Sequence, residues 1–227
     1  MAERCVVLLS GGLDSATVLA ISVARGYESH TVSFDYGQRH RFELYQSEVA
    51  SRSLGAVSHR VVKLDSVLFS GSSLTGNGEP PEDRDEEDIA SGVPSTFVPA
   101  RNLVFLSLAA SFAASISARR IFIGVNQLDY SGYPDCRMEF LSSFEDTCNI
   151  ALRGHESSGV VVEAPLVYMT KEEIIRIGLT LGVDYAATVS CYNATSLTHC
   201  GKCDSCYIRR NGFIAAGLHD PTEYRVG

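Results

Sequence analysis

The first candidate for chemistry is a turn rich in glycine and serine near the start of the chain, Ser10-Gly11-Gly12-Leu13-Asp14-Ser15. A predicted strand at residues 5–9 leads into this turn, and a helical pattern at residues 16–27 leads out of it. In such a unit the backbone N–H groups at the helix start converge with partial positive charge. The turn lacks the Lys-Ser/Thr pair of a Walker A loop. It therefore predicts a different kind of phosphate site, or an ordinary strand-to-helix turn.

The second candidate is a group of four cysteines within 16 positions near the end of the sequence: Cys191, Cys200, Cys203 and Cys206. Four thiolates on a short loop can surround a tetrahedral Zn²⁺ ion, with Zn–S bonds of about 2.3 Å. Such a site has no open position, so it would be structural rather than catalytic. An iron–sulfur cluster and four free thiols are the alternative interpretations.

The third candidate is a loop from Asp129 to Arg137 that combines two tyrosines, two aspartates and one arginine. Ligands of parallel sheets lie at the carboxyl ends of the strands, where this loop, Asp35 and Arg101 are predicted to meet. Rings, carboxylates and a guanidinium together can stack on a planar heterocycle, accept its N–H groups and bind a carboxylate. We therefore expect a binding loop here. Arg101 is expected to face either a charged ligand or the acidic segment of the chain.

The elements around these candidates alternate between strand and helix patterns, which predicts an α/β fold with a parallel sheet covered on both faces. We predict a nucleotide-binding unit over residues 1–185 and a cysteine segment, residues 186–227, packed on it. The helix at 103–118 is apolar nearly all round and is expected to be buried. The predicted strands are 5–9, 30–34, 57–64, 120–125 and 160–162, and the predicted helices are 16–27, 40–53, 103–118, 140–152, 171–181 and 205–216.

Three further expectations concern the connections. Residues 70–91, with the acidic residues of 77–90 at their centre, are predicted to form a mobile surface loop, acting as a lid or simply solvated. Asp204 is predicted as the N-cap of the last helix. Lys171 is predicted as a solvated side chain at a helix start, with contact to phosphate as the alternative.

Composition limits the class of protein. The 227 residues are 45% hydrophobic, which is enough for a full core, and the formal net charge of −8 argues against bulk nucleic-acid binding. No apolar run reaches the length of a membrane span. No signal-peptide pattern precedes the first strand, so we expect a cytoplasmic protein with reduced cysteines.

Four motifs together resemble one family, the 7-cyano-7-deazaguanine synthases of queuosine-precursor synthesis, within the PP-loop ATP pyrophosphatases. These motifs are SGGLDSAT, FVPARN, LDYSGYPDCRMEF and SCYN…CGKCDSCYIRRNGF…DPTEY, and the resemblance extends from Val7 to Tyr224. The first motif is shared with other PP-loop enzymes, whereas the SGYPDCR loop and the cysteine tail are much more specific. The family usually has glycine where this chain has Ala100.

The resemblance implies a Rossmann-like fold of the adenine nucleotide alpha hydrolase type and a homodimer. It implies a ligase that converts 7-carboxy-7-deazaguanine and ammonia into the nitrile, using two ATP and Mg²⁺, with structural Zn²⁺ at the four cysteines. The implied catalytic residues are Ser10, Asp14, Ser15 and Arg101. The implied ATP-binding residues are Leu8, Leu9, Ser10, Gly11, Gly12, Leu13, Asp14, Ser15, Ala16, Thr17, Val18 and Asp35. The implied substrate-binding residues are Arg101, Asn102, Asp129, Tyr133, Asp135 and Arg137.

Two other functions remain open on the sequence. A tRNA sulfur-transfer enzyme can carry the same PP-loop, but it needs catalytic cysteines and an RNA-binding surface, which the acidic composition does not favour. A non-catalytic zinc protein that binds nucleotides is the other alternative. The complete SGYPDCR loop beside an intact SGGLDS turn favours the enzyme.

Overall fold

The computed structural model describes residues 2–76, 78–126 and 132–225. Its strands are β1 (Arg4–Leu8), β2 (Glu28–Asp35), β3 (Ser58–Lys63), β4 (Arg120–Phe122) and β5 (Val161–Glu163). Its α-helices are α1 (Leu13–Ala24), α2 (Phe42–Ser53), α3 (Glu86–Ala90), α4 (Arg101–Ser115), α5 (Met138–Ala151), α6 (Lys171–Thr180) and α7 (Asp204–Ala215). No helix in these ranges combines the length and the apolar character needed to cross a bilayer.

The five strands form one sheet in the order β3-β2-β1-β4-β5, and all four neighbouring pairs are parallel. Alternate residues of β1 point to opposite faces of the sheet. Cys5 and Val7 belong to a core with α1, α6 and α7, whereas Val6 and Leu8 belong to a core with α4 and α5. The predicted α/β fold, a parallel sheet with helices on both faces, is therefore confirmed.

Gly11 shapes the turn that follows β1. Its backbone has a φ of 87°, a conformation that favours glycine. A Cβ atom at this position would lie 2.4 Å from the carbonyl oxygen of Glu43 and 2.7 Å from the backbone nitrogen of Ser47, both in α2. Glycine is thus required for conformation and for the close approach of α2 to the turn.

Helix α4 is only partly buried, so the prediction of a helix buried on all sides is wrong. Leu106, Ala109 and Ala113 face the core, but Leu103 is 45% exposed. Serines 107, 111 and 115 continue the exposed stripe from Leu103 at a spacing of four residues. This spacing places them on one side of the helix, where their hydroxyls meet water.

The acidic segment is held against the cysteine segment, which the prediction of a mobile loop did not anticipate. The Asp83 N–H donates to the Lys202 carbonyl at 2.9 Å. Arg84 forms an ion pair with Asp204, whose side chain is fully buried. Asp204 is the first residue of α7 and Cys203 is its N-cap, so the predicted capping role of Asp204 is wrong. Its carboxylate binds Arg84 instead.

Ala100 has a left-handed backbone at the N-cap of α4, with φ 59° and ψ 14°. We expect Ala100→Gly to stabilise the protein by about 1 kcal/mol, because an L-residue in this conformation is disfavoured by roughly 1–2 kcal/mol and glycine is not. Thermal unfolding should show a midpoint about 2–4 °C higher.

The matched control is Ala114→Gly, which lies in the regular part of the same helix and should lose about 1 kcal/mol. An Ala100→Gly variant no more stable than the wild type would contradict the assignment of strain to Ala100.

The Arg84–Asp204 pair gives a second prediction. Arg84→Ala leaves the Asp204 carboxylate buried without its cation, so the free energy of unfolding should fall by about 3 kcal/mol. Denaturant titration measures this change. Arg52→Ala is the control, because the Arg52–Glu48 pair is exposed and should contribute less than about 1 kcal/mol. Equal losses in the two variants would refute the anchoring role of Arg84.

Candidate active site

A cavity of about 280 Å³ lies at the carboxyl ends of the central strands. The turn after β1 forms one wall, and the start of α4 contributes Arg101 and Asn102 to another. The cysteine segment contributes Val189, Ser190, Tyr192 and Ser205. Three separate parts of the chain therefore meet at one site, as expected for a parallel sheet.

The predicted ATP residues divide into those at the cavity and those behind it. Leu8, Leu9, Ser10, Gly12, Asp14 and Ser15 line the cavity. Gly11 and Leu13 shape the turn without lining the cavity, and Ala16 and Val18 are buried in the core. The Thr17 hydroxyl lies 2.8 Å from that of Tyr185, so it stabilises the packing of α1.

The turn is organised by its own serines. The Ser10 and Ser15 hydroxyls lie 3.0 Å apart, the Ser10 N–H donates to Ser15 Oγ at 3.2 Å, and the Gly12 N–H donates to Ser10 Oγ at 3.3 Å. Gly12 is the N-cap of α1, and no side chain caps this helix. The start of α1 thus offers its N–H groups and positive dipole end to an anion in the cavity.

Lys171 forms an ion pair with Asp14 and is not the solvated side chain that was predicted. Its Nζ donates to the two carboxylate oxygens of Asp14 at 2.8 and 2.9 Å. The Lys171 side chain is only 11% exposed. A cation from the start of α6 therefore balances the one carboxylate of the predicted phosphate turn.

Arg101 faces the cavity without a carboxylate partner among the described residues. Its Nη1 lies 3.4 Å from the Tyr36 hydroxyl. Burial alone would lower the pKa of Arg101, but the nearby hydroxyls of Tyr36 and Tyr133 raise it above its ordinary value. The guanidinium thus keeps its charge. No described side chain of the acidic segment forms an ion pair with it, although the sequence left that alternative open.

Within the described part of the predicted substrate loop, some residues line the cavity and others do not. Tyr133 and Asn102 line it, and the Tyr133 hydroxyl lies 2.6 Å from that of Thr96. Asp135 lies behind Asn102, whose backbone N–H donates to the Asp135 carboxylate at 3.1 Å. Asp135 therefore binds the start of α4.

Two other predicted site residues, Arg137 and Asp35, lie outside the cavity lining. Arg137 is exposed at the N-cap of α5 and does not line the cavity. Asp35 forms an ion pair with Arg41 and borders a neighbouring groove that also contains Lys63. Asp129 lies outside the described residues, so its predicted role stays a prediction.

A second pair of titratable side chains, His40 and Glu43, lines the cavity and was not predicted from the sequence. His40 Nε2 lies 2.9 Å from the Glu43 carboxylate, and Gln38 Nε2 donates to the other Glu43 oxygen at 3.1 Å. Burial lowers the pKa of His40, but the Glu43 carboxylate raises it further, so the net shift is upward. The available signal was the spacing of three residues between His40 and Glu43 at the start of α2, because side chains three positions apart are neighbours on a helical turn.

The four predicted cysteine ligands converge. All are buried, and their sulfur atoms lie within 4.8 Å of one another. The Cys203–Cys206 and Cys200–Cys206 sulfur separations are 3.5 and 3.9 Å, close to the roughly 3.8 Å that tetrahedral Zn–S geometry requires.

Backbone N–H groups support a charged cluster. Those of Asn193 and Cys200 donate to Cys191 Sγ, and those of Lys202 and Cys203 donate to Cys200 Sγ, at 3.3–3.4 Å. The donor set is therefore suited to a thiolate-bound metal ion.

Two solved structures share the fold. One is NMN synthetase from Francisella tularensis, with a TM-score of 0.53 and 14% identity, covering 96% of this chain and 79% of that one. The other is a 4-thiouridine synthetase in a complex with RNA and bound ATP, with a TM-score of 0.54 and 19% identity, covering 98% of this chain and 47% of that one. At these identities the likeness concerns the fold alone.

Sequence relatives are much closer. The 7-cyano-7-deazaguanine synthase of Pseudomonas paraeruginosa is 53% identical over 224 residues, covering 98% of each chain. The enzyme of the same name from Pseudomonas syringae pv. tomato is 53% identical over 225 residues, covering 98% of this chain and 97% of that one. Residues 4–217 also match the family described as queuosine biosynthesis protein QueC. On this evidence the chain belongs to the QueC family.

Proposed function

We propose that this protein is an ATP-dependent ligase that converts 7-carboxy-7-deazaguanine and ammonia into 7-cyano-7-deazaguanine. The observation that carries the proposal is the charged Arg101 side chain, which shares a cavity with the uncapped start of α1 and has no carboxylate partner among the described residues. Two separate positive groups suit two anions in one site, a polyphosphate and a carboxylate. The names of the relatives at 53% identity support the specific substrate.

The first half of the proposed reaction makes an amide. A carboxylate oxygen of the substrate attacks the α-phosphorus of ATP, and pyrophosphate leaves. Ammonia then attacks the carboxyl carbon, a proton leaves the nitrogen, and AMP departs with the carboxylate oxygen. The start of α1, with Ser10 and Ser15, stabilises the departing pyrophosphate, while Arg101 holds the carboxylate in line.

The second half makes the nitrile. The amide oxygen attacks the α-phosphorus of a second ATP, and pyrophosphate leaves again. Loss of two protons from nitrogen and departure of AMP leave a carbon–nitrogen triple bond. Amide oxygen is a poor leaving group and AMP is a good one, so the task of the protein is positioning and charge stabilisation.

Substrate recognition is assigned to one wall of the cavity. Tyr133 and Asn102 line that wall, and Asp135 fixes Asn102 from behind. We also propose that Asp129, which lies outside the described residues, contacts the deazaguanine. Arg137 and Asp35 do not line the cavity, and no ligand contact is assigned to them. We propose as well that the nucleotide-binding unit comprises residues 1–185 and that the cysteine segment comprises residues 186–227.

The proposed metal ions are Mg²⁺ with ATP and structural Zn²⁺ at the cysteine cluster. Asp14 is the carboxylate of the turn that lines the cavity and could hold Mg²⁺ beside the phosphates. The sulfur separations at the four cysteines fit Zn²⁺. Four sulfur ligands leave no open position, so this ion would stabilise the cavity wall that the cysteine segment forms.

We propose a cytoplasmic homodimer that does not act on nucleic acid. The net charge of −8 supports the last point, since binding to nucleic acid needs many phosphate-neutralising cations. Several large apolar side chains are exposed, among them Leu68 at 72% and Val67 at 69%. A second copy of the chain would remove such surface from water.

The test is an incubation with ATP, Mg²⁺, ammonium and 7-carboxy-7-deazaguanine, followed by mass spectrometry. We expect the nitrile and AMP from the wild type, and no AMP from Asp14→Ala. Arg101→Met should lower kcat/KM for the acid by about 100-fold, because a charge-assisted hydrogen bond is lost. AMP without nitrile would refute the proposed substrate, and full activity of Arg101→Met would refute the role of Arg101.

Sulfur transfer is the competing activity, and Cys136 is the one cysteine that lines the cavity among the described residues. Burial raises the pKa of the Cys136 thiol to about 12, so very little thiolate, the reactive form, exists at neutral pH. We expect Cys136→Ser to keep nitrile formation within about threefold of the wild type. A loss of 100-fold or more in kcat, with normal folding by circular dichroism, would favour cysteine chemistry.

A further inference from the structure

We propose that Gly212, in helix α7 of the cysteine segment, is a positioning residue of the phosphate site. It leaves the space through which the Lys171 side chain reaches Asp14. The inference rests on the proposed function, because Asp14 is assigned to the ATP-binding turn. It gives α7 a role in the chemistry beyond its contribution to the core.

Lys171 has an unusual starting point for a cation. It is the first residue of α6, where the helix dipole disfavours positive charge. The capping box of Thr170 and Glu173 fixes this helix start. From there the Lys171 side chain runs into the protein, and its Nζ binds Asp14. Burying a lysine at such a place is unfavourable unless the carboxylate partner is reached.

Gly212 borders the path of this side chain. A Cβ atom at position 212 would lie 2.3 Å from Cγ and 2.9 Å from Cβ of Lys171, and 3.0 Å from Cδ1 of Ile175. Contacts below 3.0 Å essentially never occur for real Cβ atoms. Any side chain at position 212 would therefore displace the stem of Lys171 near its root, and the displacement would be carried to Nζ.

Glycine at this position is otherwise unfavourable. Gly212 is buried inside α7, where alanine would stabilise the helix because its intrinsic helix propensity is higher. Its φ is outside the left-handed region, so the backbone does not require glycine. The close approach of Lys171 is the feature that requires glycine. Helix propensity alone predicts that Gly212→Ala raises the melting temperature, whereas the steric account predicts that it lowers the melting temperature.

The experiment compares Gly212→Ala with the wild type for AMP formation and thermal stability. We expect kcat to fall by about 100-fold, because a displaced Lys171 no longer holds Asp14 in its place. KM for 7-carboxy-7-deazaguanine should stay within about twofold, since the wall formed by Asn102 and Tyr133 is untouched, and the bound-metal content should be unchanged. General damage to the fold would change all of these together. An unchanged kcat would overturn the proposal.

Asn211→Ala is the matched control. It makes a similar gain in helix propensity at the adjacent exposed position of α7, and both activity and melting temperature should stay at or above wild-type values. Loss of activity in this control would show that α7 is sensitive to any substitution and would overturn the steric account.

A thermal cycle tests the contact without reference to catalysis. Gly212→Ala should lower the melting temperature by about 2 °C or more in the wild type. Lys171→Ala removes the 2.3 Å contact with Cγ and keeps the weaker 2.9 Å contact with Cβ, so in this background the same change should lower the melting temperature by no more than about half as much. Equal shifts would overturn the inference even if the proposed reaction is correct. If the wild type makes no nitrile, the cycle still decides whether Gly212 positions Lys171.

Discussion

The balance of charge in the cavity is the constraint on which the site depends. Each carboxylate that lines it among the described residues has its own partner: Lys171 binds Asp14, and His40 binds Glu43. Among the described residues, Arg101 has no carboxylate partner, and no side chain caps the start of α1. A site that keeps uncompensated positive charge before its ligands arrive is preorganised for anions, and this preorganisation is what stabilises charge during phosphoryl and adenylyl transfer.

Distant parts of the chain combine to form the cavity and the ion pairs around it. The cysteine segment forms one wall of the cavity through Tyr192 and Ser205, and its helix α7 contacts α6, which carries Lys171. The acidic segment is fixed to the start of α7 through Arg84 and Asp204. A metal ion at the four cysteines would thus hold a wall of the cavity and the anchor of the acidic segment at once. Both effects are structural, so they need no open coordination position on the metal ion.

The sequence could predict features whose signals are local. Glycines and serines between a strand and a helix identified the turn, and the spacing of the four cysteines identified their cluster. The alternation of strands and helices identified the parallel sheet. These patterns are sufficient because neighbouring residues determine backbone conformation and period.

Features that depend on distant residues were not predictable in this way. The Arg84–Asp204 and Lys171–Asp14 pairs join residues more than a hundred positions apart. Asp135 belongs to the predicted substrate loop, and its carboxylate could accept hydrogen bonds from a ligand. In the structure this carboxylate instead accepts the backbone N–H of Asn102 at the start of α4. Asp35 ends its strand at the expected edge, yet it binds Arg41 in the neighbouring groove. The sequence places such groups at the correct edge of the sheet, and packing decides which of them faces the cavity.

The measurement that tests the account most directly follows the oxygen atoms of the acid. We would supply 7-carboxy-7-deazaguanine with oxygen-18 in both carboxylate positions and analyse the products by mass spectrometry. Activation at the α-phosphorus in both halves of the reaction predicts two AMP molecules for each nitrile, each carrying one labelled oxygen. Label in inorganic phosphate, or unlabelled AMP, would contradict the assignment of this cavity to adenylation.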